Sequence, residues 1–502
     1  MNLMIGLLDC SNYHLEFIMK KILAFWLTTL SLFCASSHAS SSESNLAQFY
    51  QEPNNVGQLD LIESTQLIPT IKYHKMSFAS LHWPTEQSIW RHRVNLHVPQ
   101  VLTNPQGVIF IHGGTNYYPN GTKKGDIYDN DQIPFALSLF ALQHGVMVIE
   151  IKDIPNQYLS LTSNEYLKED AILARSMKKA LKNDNPFLAV QLPMAKSISL
   201  CLDALQAQEE NLQLTLPKKF LITGLSKRSW ASWLALIEDK RINAIIPGVF
   251  NLLDQENTLS HNNKSLGYWP EAFYPFLREG IAEQIRTEPY HKLMESIDPW
   301  QYFYKPAYRE RFSVPKLILT ASNDEFLTPD SQNQIIDQLQ GPTFFRVVPN
   351  SSHSLNVKAY IQTVSSFLAY LNGKCDLARI TWELEGTRLV SATTSKEPKA
   401  VNYWIANNPK WRDFRKTTGI EYTKITLAPS YSQGKWTVKT PKTPQNEGYF
   451  AHFIEFIFSQ AILTTPAFVT PDTYPEKTRE FELSPAFQKH IKHHFYAINP
   501  DQ

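Results

Sequence analysis

A segment near the middle of the chain, Phe220 to Ile237, constrains the fold more than any other. An apolar run leads to Gly224, presents Ser226, and continues into a helix-like stretch from about Trp230. This order of strand, tight turn and helix is that of a nucleophile elbow, in which a strained turn lifts a serine hydroxyl above a sheet. The usual pattern is G-x-S-x-G, but here Arg228 replaces the last glycine. The segment predicts a serine nucleophile in the turn between a strand and a helix, above a sheet.

Two further strand-like runs place an acid and a histidine after this serine. Residues 314–320 are apolar and are followed by Asp324, and residues 343–348 are followed by His353. The chain order Ser, Asp, His is that of the α/β-hydrolases and differs from the orders in chymotrypsin and subtilisin. In such a triad His353 takes the proton of Ser226, while Asp324 fixes the histidine tautomer and stabilises the imidazolium. The order therefore predicts a catalytic triad.

Each member of this triad also has a structural alternative. Ser226 could be an ordinary turn residue, and His353 is one of 15 histidines. Asp324 could cap a helix that starts a few residues later, because aspartate is a favoured N-cap. Glu325 and Asp330 lie close by in the chain and are rival acids.

Acyl transfer also needs two backbone N–H groups that face the developing oxyanion. Lys227 follows the serine directly, so its N–H is the expected first donor. The second is expected in the loop after the strand at 108–111, because His112-Gly-Gly-Thr resembles the glycine-rich oxyanion loops of esterases. We predict Gly114 or Thr115 as that donor. The alternative is that the two glycines only permit a tight turn.

Composition limits the partners of the chain. Its 502 residues allow about two to four domains. The formal net charge of +1 gives no support to nucleic-acid binding or to docking on a charged membrane. No H-E-x-x-H or C-x-x-C spacing is present, so we expect no metal and no other cofactor. The expected partner is a small-molecule ester or a peptide substrate, and the sequence does not define an oligomeric state.

The N-terminus predicts export. A basic start at Met19 precedes an apolar run, 22–33, and small residues lead to a cleavage point after Ala39. This order is that of a signal peptide over 19–39, which makes 1–18 an upstream extension. The apolar run is too short to span a bilayer. We predict a soluble protein, periplasmic or secreted, without stable membrane insertion.

Two cysteines remain after this cleavage, Cys201 and Cys375. In an oxidising compartment they could form a disulfide, and they could equally stay as free thiols.

Periodicity divides the mature chain into parts. Residues 40–66 are polar and are predicted to be irregular. Strands and helices then alternate, which indicates a mostly parallel sheet in an α/β-hydrolase-like domain over 40–375. The aromatic-rich stretch 251–312 is predicted to be a partly helical insertion that either walls the cleft or only packs on the core. Short alternating strands predict a β-sandwich domain over 376–475. A polar tail with one helical piece, 476–502, follows.

Blocks of sequence spread along the chain point to a known family. They are Trp90-Arg-His-Arg-Val94, Gly113-Gly-Thr-Asn116, Ile154-Pro-Asn-Gln157, Lys168-Glu-Asp-Ala171, Leu192-Pro-Met-Ala-Lys196, Gly224-Leu-Ser-Lys-Arg228, Pro315-Lys-Leu-Ile318, Asp324-Glu-Phe326, Pro329-Asp-Ser331, Val348-Pro-Asn-Ser-Ser-His-Ser-Leu355, Trp411-Arg-Asp-Phe-Arg415 and Pro471-Asp-Thr-Tyr-Pro475. On these blocks the chain resembles the PhoPQ-activated pathogenicity-related family over nearly its full length after the signal peptide.

The resemblance implies an α/β-hydrolase domain followed by an immunoglobulin-like β domain, in proteins that are mostly exported. It also implies the same triad of Ser226, Asp324 and His353. The family usually has glycine after Ser-Lys-Arg, where this chain has Ser229. We therefore expect a looser contact between helix and strand at that position.

The two cations beside the serine, Lys227 and Arg228, allow two interpretations. They could bind an anionic substrate, or they could pair with acids of the fold. Glu169 and Asp170 could similarly bind the amino terminus of a peptide, or stabilise the first turn of their own helix.

Two functions are compatible with these residues. The first is an exported serine hydrolase, an esterase or a peptidase, that works through an acyl-enzyme at Ser226. The second is a non-catalytic exported interaction protein, or virulence-associated protein, because a fold does not dictate a function. Triad side chains that meet at a cleft favour the first, and a serine buried under the insertion favours the second.

Overall fold

The structure is a computed structural model that describes residues 43–115, 132–162, 165–442 and 447–476, with short pieces of the tail at 478–479, 483–485, 487–488 and 496–498. The predicted upstream extension and signal peptide, residues 1–39, lie outside the described residues. So does most of the tail, including any helical piece beyond residue 488.

Four consecutive strands follow the first described helix, strands and helices are then mixed up to residue 371, and strands dominate the described residues after that. The α-helices are α1 (Asn45–Gln51), α2 (Gln132–His144), α3 (Asp170–Asn183), α4 (Gln191–Ala207), α5 (Glu209–Leu212), α6 (Lys227–Glu238), α7 (Gln255–Leu266), α8 (Tyr274–Arg278), α9 (Glu288–Ile297), α10 (Pro299–Phe303), α11 (Pro306–Arg309) and α12 (Val357–Leu371). The strands are β1 (Asn55–Ile68), β2 (Ile71–His82), β3 (Ile89–Pro99), β4 (Gln106–Ile111), β5 (Val148–Ile151), β6 (Leu159–Thr162), β7 (Glu165–Leu167), β8 (Lys219–Leu225), β9 (Ile242–Gly248), β10 (Lys316–Ala321), β11 (Thr343–Val348), β12 (Ile380–Glu385), β13 (Arg388–Thr394), β14 (Ala400–Asn408), β15 (Thr423–Leu427), β16 (Ser430–Ser432), β17 (Lys435–Lys439), β18 (Tyr449–Ile457), β19 (Ile462–Thr464), β20 (Phe468–Thr470) and β21 (Tyr496–Ile498).

A nine-stranded sheet forms the centre of the molecule, in the order β1-β2-β3-β5-β4-β8-β9-β10-β11. The pairs from β1 to β5 are antiparallel, and those from β5 to β11 are parallel. Strands β4 and β5 are buried along their whole length, as expected of parallel strands that carry helices on both faces. The predicted α/β-hydrolase-type sheet is confirmed.

The prediction of an irregular stretch over 40–66 is wrong for its described residues. They form α1 and the long strand β1, which pairs with β2 at the antiparallel edge of the sheet. Most of β1 is exposed, so polar residues such as Gln58, Asp60 and Glu63 occur on it without a regular alternation. A strand without a buried face lacks the period-two signal on which the prediction depended.

The segment between β9 and β10 is helical, as predicted for the insertion at 251–312, and its aromatic residues serve two purposes. Some pack on the core: Phe312 stacks on Trp233 of α6 with ring centroids 5.8 Å apart. Others, including Phe273, Phe276 and Tyr290, line a cavity that is described below. Both alternatives stated for the insertion therefore apply, to different residues.

After α12 the chain forms two antiparallel sheets, β12-β13-β17-β16 and β15-β14-β18-β19, with β20 paired to β18. Leu389 and Val438 from the first sheet share one apolar cluster with Tyr403 and Phe456 from the second, which makes the pair a β-sandwich. The sandwich contacts β11, where Val347 N–H donates to Thr464 Oγ1 at 2.9 Å. The exact domain boundary at 375/376 stays a prediction.

Cys201 and Cys375 are both free thiols. Cys201 is buried in α4, and Cys375 is half-buried after α12. Burial raises the pKa of both thiols, so neither is a reactive thiolate at neutral pH.

Candidate active site

Ser226 lies in a strained turn between β8 and α6. Its backbone has φ 56° and ψ −129°, which is rare for a residue with a side chain and costs on the order of 1–3 kcal/mol. The turn is fixed from β9, because the N–H of Ser226 donates to the Gly248 carbonyl at 2.8 Å. Glycine is required at 224, since a Cβ there would lie 2.9 Å from the Cβ of Arg228. This geometry is that of a nucleophile elbow.

Ser229 strengthens the contact between α6 and the sheet. Its hydroxyl lies 2.6 Å from the Gly224 carbonyl and 3.0 Å from the Gly248 carbonyl, and it accepts the N–H of Gly248 at 2.9 Å. The expectation of a looser contact at this position is therefore wrong. A buried hydroxyl fills the space next to the two strand ends and bonds to both of them.

Asp324 and His353 are brought together at the ends of β10 and β11. The Nδ1 of His353 lies 2.8 Å from Asp324 Oδ2, and the other carboxylate oxygen accepts the N–H of Phe326 at 2.8 Å. The aspartate is 4% exposed, so this interaction is shielded from water. A carboxylate in this position holds the proton on Nδ1 and leaves Nε2 as the basic nitrogen.

The two rival acids have other partners. Glu325 accepts the backbone N–H of His353 at 2.7 Å and thereby fixes the loop, while burial raises the pKa of its carboxyl group. Asp330 pairs with Arg412 and lies 3.1 Å from the ring of His261. Asp324 does not cap a helix as suggested, since residues 329–335 form turns and the short 3₁₀-helix that follows, Ile336–Gln338, begins too far along the chain.

Ser226 and His353 line one cavity. The Nε2 atom of His353 is buried and makes no hydrogen bond within the described part of the chain, so a bond to the Ser226 hydroxyl is not formed in this state. Catalytic hydrogen bonds are often long without a substrate and tighten when one binds. Ser226 and His353 therefore line the same cavity, and Asp324 is bonded to Nδ1 of the histidine, but among the described residues no hydrogen bond joins His353 Nε2 to the serine.

The cavity is narrow and mostly apolar. Its volume is about 70 Å³. The apolar walls come from α3, α6, the segment after β9 and the loop after β10, and they comprise Leu173, Met177, Trp230, Val249, Phe250, Leu252, Leu259, Phe273, Phe276, Ile281, Ala282, Ile285, Tyr290, Phe326 and Leu327. Such a cavity suits one apolar group of a substrate held next to the serine hydroxyl.

The two cations beside the serine are paired within the fold. Lys227 Nζ lies 2.9 Å from Glu169 and 3.1 Å from Asp170, and Arg228 lies 2.7 Å from Glu169. Burial alone would raise the pKa of Glu169, but the two cations hold it well below its usual range. The interpretation that Lys227 and Arg228 pair with acids of the fold is confirmed, since Glu169 and Asp170 form ion pairs with them.

The predicted oxyanion donors lie at the same end of the sheet. Lys227 begins α6, so its N–H belongs to the first turn, where helix amides have no intrahelical partner. Gly114 and Thr115 follow β4, and Gly114 has φ 148°, a conformation that favours glycine. Strand β4 is the direct neighbour of β8, which carries the serine.

Among the described residues, no group of three or more His, Cys, Asp or Glu side chains is placed to hold a metal ion. In the same part of the chain no helix is long and apolar enough to cross a membrane.

Comparisons with known proteins give one matching family, one curated relative and several similar structures. Residues 46–415 match the family described as PhoPQ-activated pathogenicity-related protein. The autocrine proliferation repressor protein A of Dictyostelium discoideum is 27% identical over 372 residues, which are 70% of this chain and 72% of that protein. Acylaminoacyl peptidase from Pyrococcus horikoshii is 15% identical with a TM-score of 0.37, covering 61% of this chain, and this chain spans only 41% of the peptidase. An acetyl xylan esterase from Paenibacillus sp. R4 is 13% identical with a TM-score of 0.43, covering 64% of this chain and 91% of the esterase.

Proposed function

This chain belongs to the PhoPQ-activated pathogenicity-related protein family, whose name describes no reaction, and we propose from its site that it is an exported serine hydrolase. One observation carries the proposal. A serine in a strained turn shares a cavity with a histidine whose Nδ1 is held 2.8 Å from a buried aspartate. Strain of this kind persists only where the surrounding structure fixes it, and it is concentrated at functional sites.

The proposed reaction proceeds through an acyl-enzyme. Nε2 of His353 takes the hydroxyl proton of Ser226 while Oγ attacks the carbonyl carbon of an ester or amide. The N–H of Lys227 and a donor from the loop at 112–115 stabilise the oxyanion. His353 then gives the proton to the leaving group, which departs as an alcohol or an amine. Water, deprotonated by His353, finally releases the acid and restores Ser226.

The test is covalent labelling of the mature protein with a fluorescent fluorophosphonate. We expect labelling of the wild type and none of Ser226→Ala, because the probe reacts only with an activated serine. Ser260→Ala, on α7 of the insertion, is the matched control and should label like the wild type. A folded wild type that is not labelled, or a Ser226→Ala protein that still is, would contradict the proposal.

The cavity predicts a preference for an apolar group. Replacing the half-buried Leu252 by tryptophan fills part of the cavity, so the ratio of kcat/KM for p-nitrophenyl butyrate over p-nitrophenyl acetate should fall about tenfold or more. Thermal melting checks that the variant is folded. An unchanged ratio in a folded variant would place the binding of the acyl group elsewhere.

The second candidate is a non-catalytic exported interaction protein. The absence of a bond to His353 Nε2 within the described residues favours it, and so does the name of the Dictyostelium relative, an autocrine proliferation repressor. The labelling experiment separates the two candidates, since an interaction protein does not need an activated serine. Export of this chain is tested by the N-terminal sequence of the secreted or periplasmic form, which should begin at Ser40.

A further inference from the structure

The loop after β4, residues 112–115, is held by one neighbouring segment through three successive carbonyls. The carbonyl of His112 accepts the backbone N–H of Ile154, and the carbonyl of Gly113 accepts that of Asp153, at 3.2 Å each. The third carbonyl, that of Gly114, accepts a hydrogen bond from the side-chain amide of Gln157 instead. The Gly114 carbonyl is therefore held by a side chain, which a substitution can remove without touching the backbone.

The amide of Gln157 has a partner on each atom. Its nitrogen donates to Gly114 and also to the Glu169 carboxylate at 3.0 Å, while its oxygen accepts the N–H of Glu169 at 2.9 Å. The side chain is buried, and these partners fix which amide atom is the oxygen. Both the position and the direction of the donor to Gly114 are thus determined.

Arg228 connects this network to the nucleophile elbow. Its Nη2 donates to the Glu169 carboxylate at 2.7 Å, and its Nε donates to the Ile154 carbonyl at 2.8 Å. The guanidinium lies against Gly113, where a Cβ would come within 2.2 Å of Nη2. The residue that breaks the G-x-S-x-G pattern therefore joins the turn of the serine to the loop.

We propose that Gln157 is the positioning residue of the oxyanion hole, held by Glu169 and Arg228. A trans peptide directs its C=O and N–H to opposite sides, so anchoring the Gly114 carbonyl also sets the direction of the Thr115 N–H. The network fixes that direction relative to the elbow that carries the nucleophile. This inference rests on the proposed hydrolase function and adds a residue that does not itself contact the substrate.

The test compares Gln157→Met with the wild type. We expect kcat for p-nitrophenyl butyrate to fall about 10- to 100-fold with KM within about threefold, because an oxyanion donor acts mainly in the transition state. A trifluoromethyl ketone, which forms an oxyanion adduct with the serine, should bind about 10- to 100-fold more weakly. The matching alcohol forms no oxyanion and should bind unchanged. Gln191→Met, a buried glutamine of α4, is the control and should keep both affinities.

Loss of ketone and alcohol binding by equal factors, or loss of neither, would overturn the role of Gln157. If Gln157→Met does not fold, Arg228→Lys takes its place, since lysine keeps the charge but not the planar guanidinium against Gly113. That variant should bind the ketone about tenfold more weakly than the wild type does and bind the alcohol equally well. If its affinities for the ketone and the alcohol changed by the same factor, or if neither changed, the inference would again be overturned. A wild type that reacts with neither fluorophosphonate nor ketone would overturn the hydrolase itself, and this inference with it.

Discussion

Replacing Asp324 by asparagine is expected to slow the reaction of Ser226 with a fluorophosphonate about 10³- to 10⁴-fold. The aspartate accepts from Nδ1 of His353 at 2.8 Å and keeps the other ring nitrogen basic. An amide of the same size removes the charge that stabilises the imidazolium, and it favours the wrong tautomer. The second-order rate constant of labelling measures the effect directly, without a known substrate.

Glu325→Gln is the matched control for this prediction. Glu325 is the neighbouring acid, and it contacts the same histidine through the backbone N–H at 2.7 Å, not through the ring. A neutral oxygen can still accept that bond, so we expect the labelling rate to fall by no more than about tenfold. If Glu325→Gln were the slower of the two variants, Glu325 would be the orienting acid and the assignment of Asp324 would be wrong.

The second large effect is a loss of stability when a buried ion pair is broken between the β-sandwich and the α/β-hydrolase-like domain. Arg412 is 1% exposed, pairs with Asp330, and donates to the Pro471 carbonyl at 2.7 Å. Arg412→Met leaves the carboxylate buried without this partner, so we expect the free energy of unfolding to fall by about 3–5 kcal/mol. Denaturant unfolding measures it. Arg388→Met, which breaks a pair with the exposed Glu385, should cost much less, because water screens a surface pair.

The loss of unfolding free energy in Arg412→Met should also depend on pH. Burial would raise the pKa of Asp330, but the charges of Arg412 and His261 lower it well below its usual range. A depressed carboxyl pKa contributes stability above the unfolded value of about 3.9, and this contribution is lost as the pH falls. The difference between wild type and variant should therefore be largest near neutral pH and shrink below about pH 4. Equal costs for Arg412→Met and Arg388→Met at pH 7 would contradict this account.

The elements that sequence patterns located well are those with a buried side. The predicted strand at 343–348 has the bounds that the structure shows, and the runs before Ser226 and Asp324 are strands as well. Each has apolar residues that must enter a core, which gives a periodicity that can be read locally. Strand β1 has no such face, and for that reason it was predicted to be irregular.

The contacts within the site could not be predicted in the same way. Arg228 and Glu169 are 59 residues apart in the chain, and only the fold brings them together. The blocks Ile154-Pro-Asn-Gln157 and Lys168-Glu-Asp-Ala171 were visible as family resemblances, yet nothing local assigns Gln157 a partner. The cavity walls come from segments whose apolar residues are indistinguishable, in sequence, from ordinary core residues.

The central claim is that Ser226 becomes acylated. The most direct measurement is peptide mapping by mass spectrometry after the protein is mixed with p-nitrophenyl butyrate and quenched in acid within the first turnover. We expect one butyryl group on the peptide that contains Ser226, and none in Ser226→Ala. Nitrophenol release without that adduct, or a butyryl group on another residue while Ser226 stays unmodified, would contradict the acyl-enzyme and with it the proposed hydrolase.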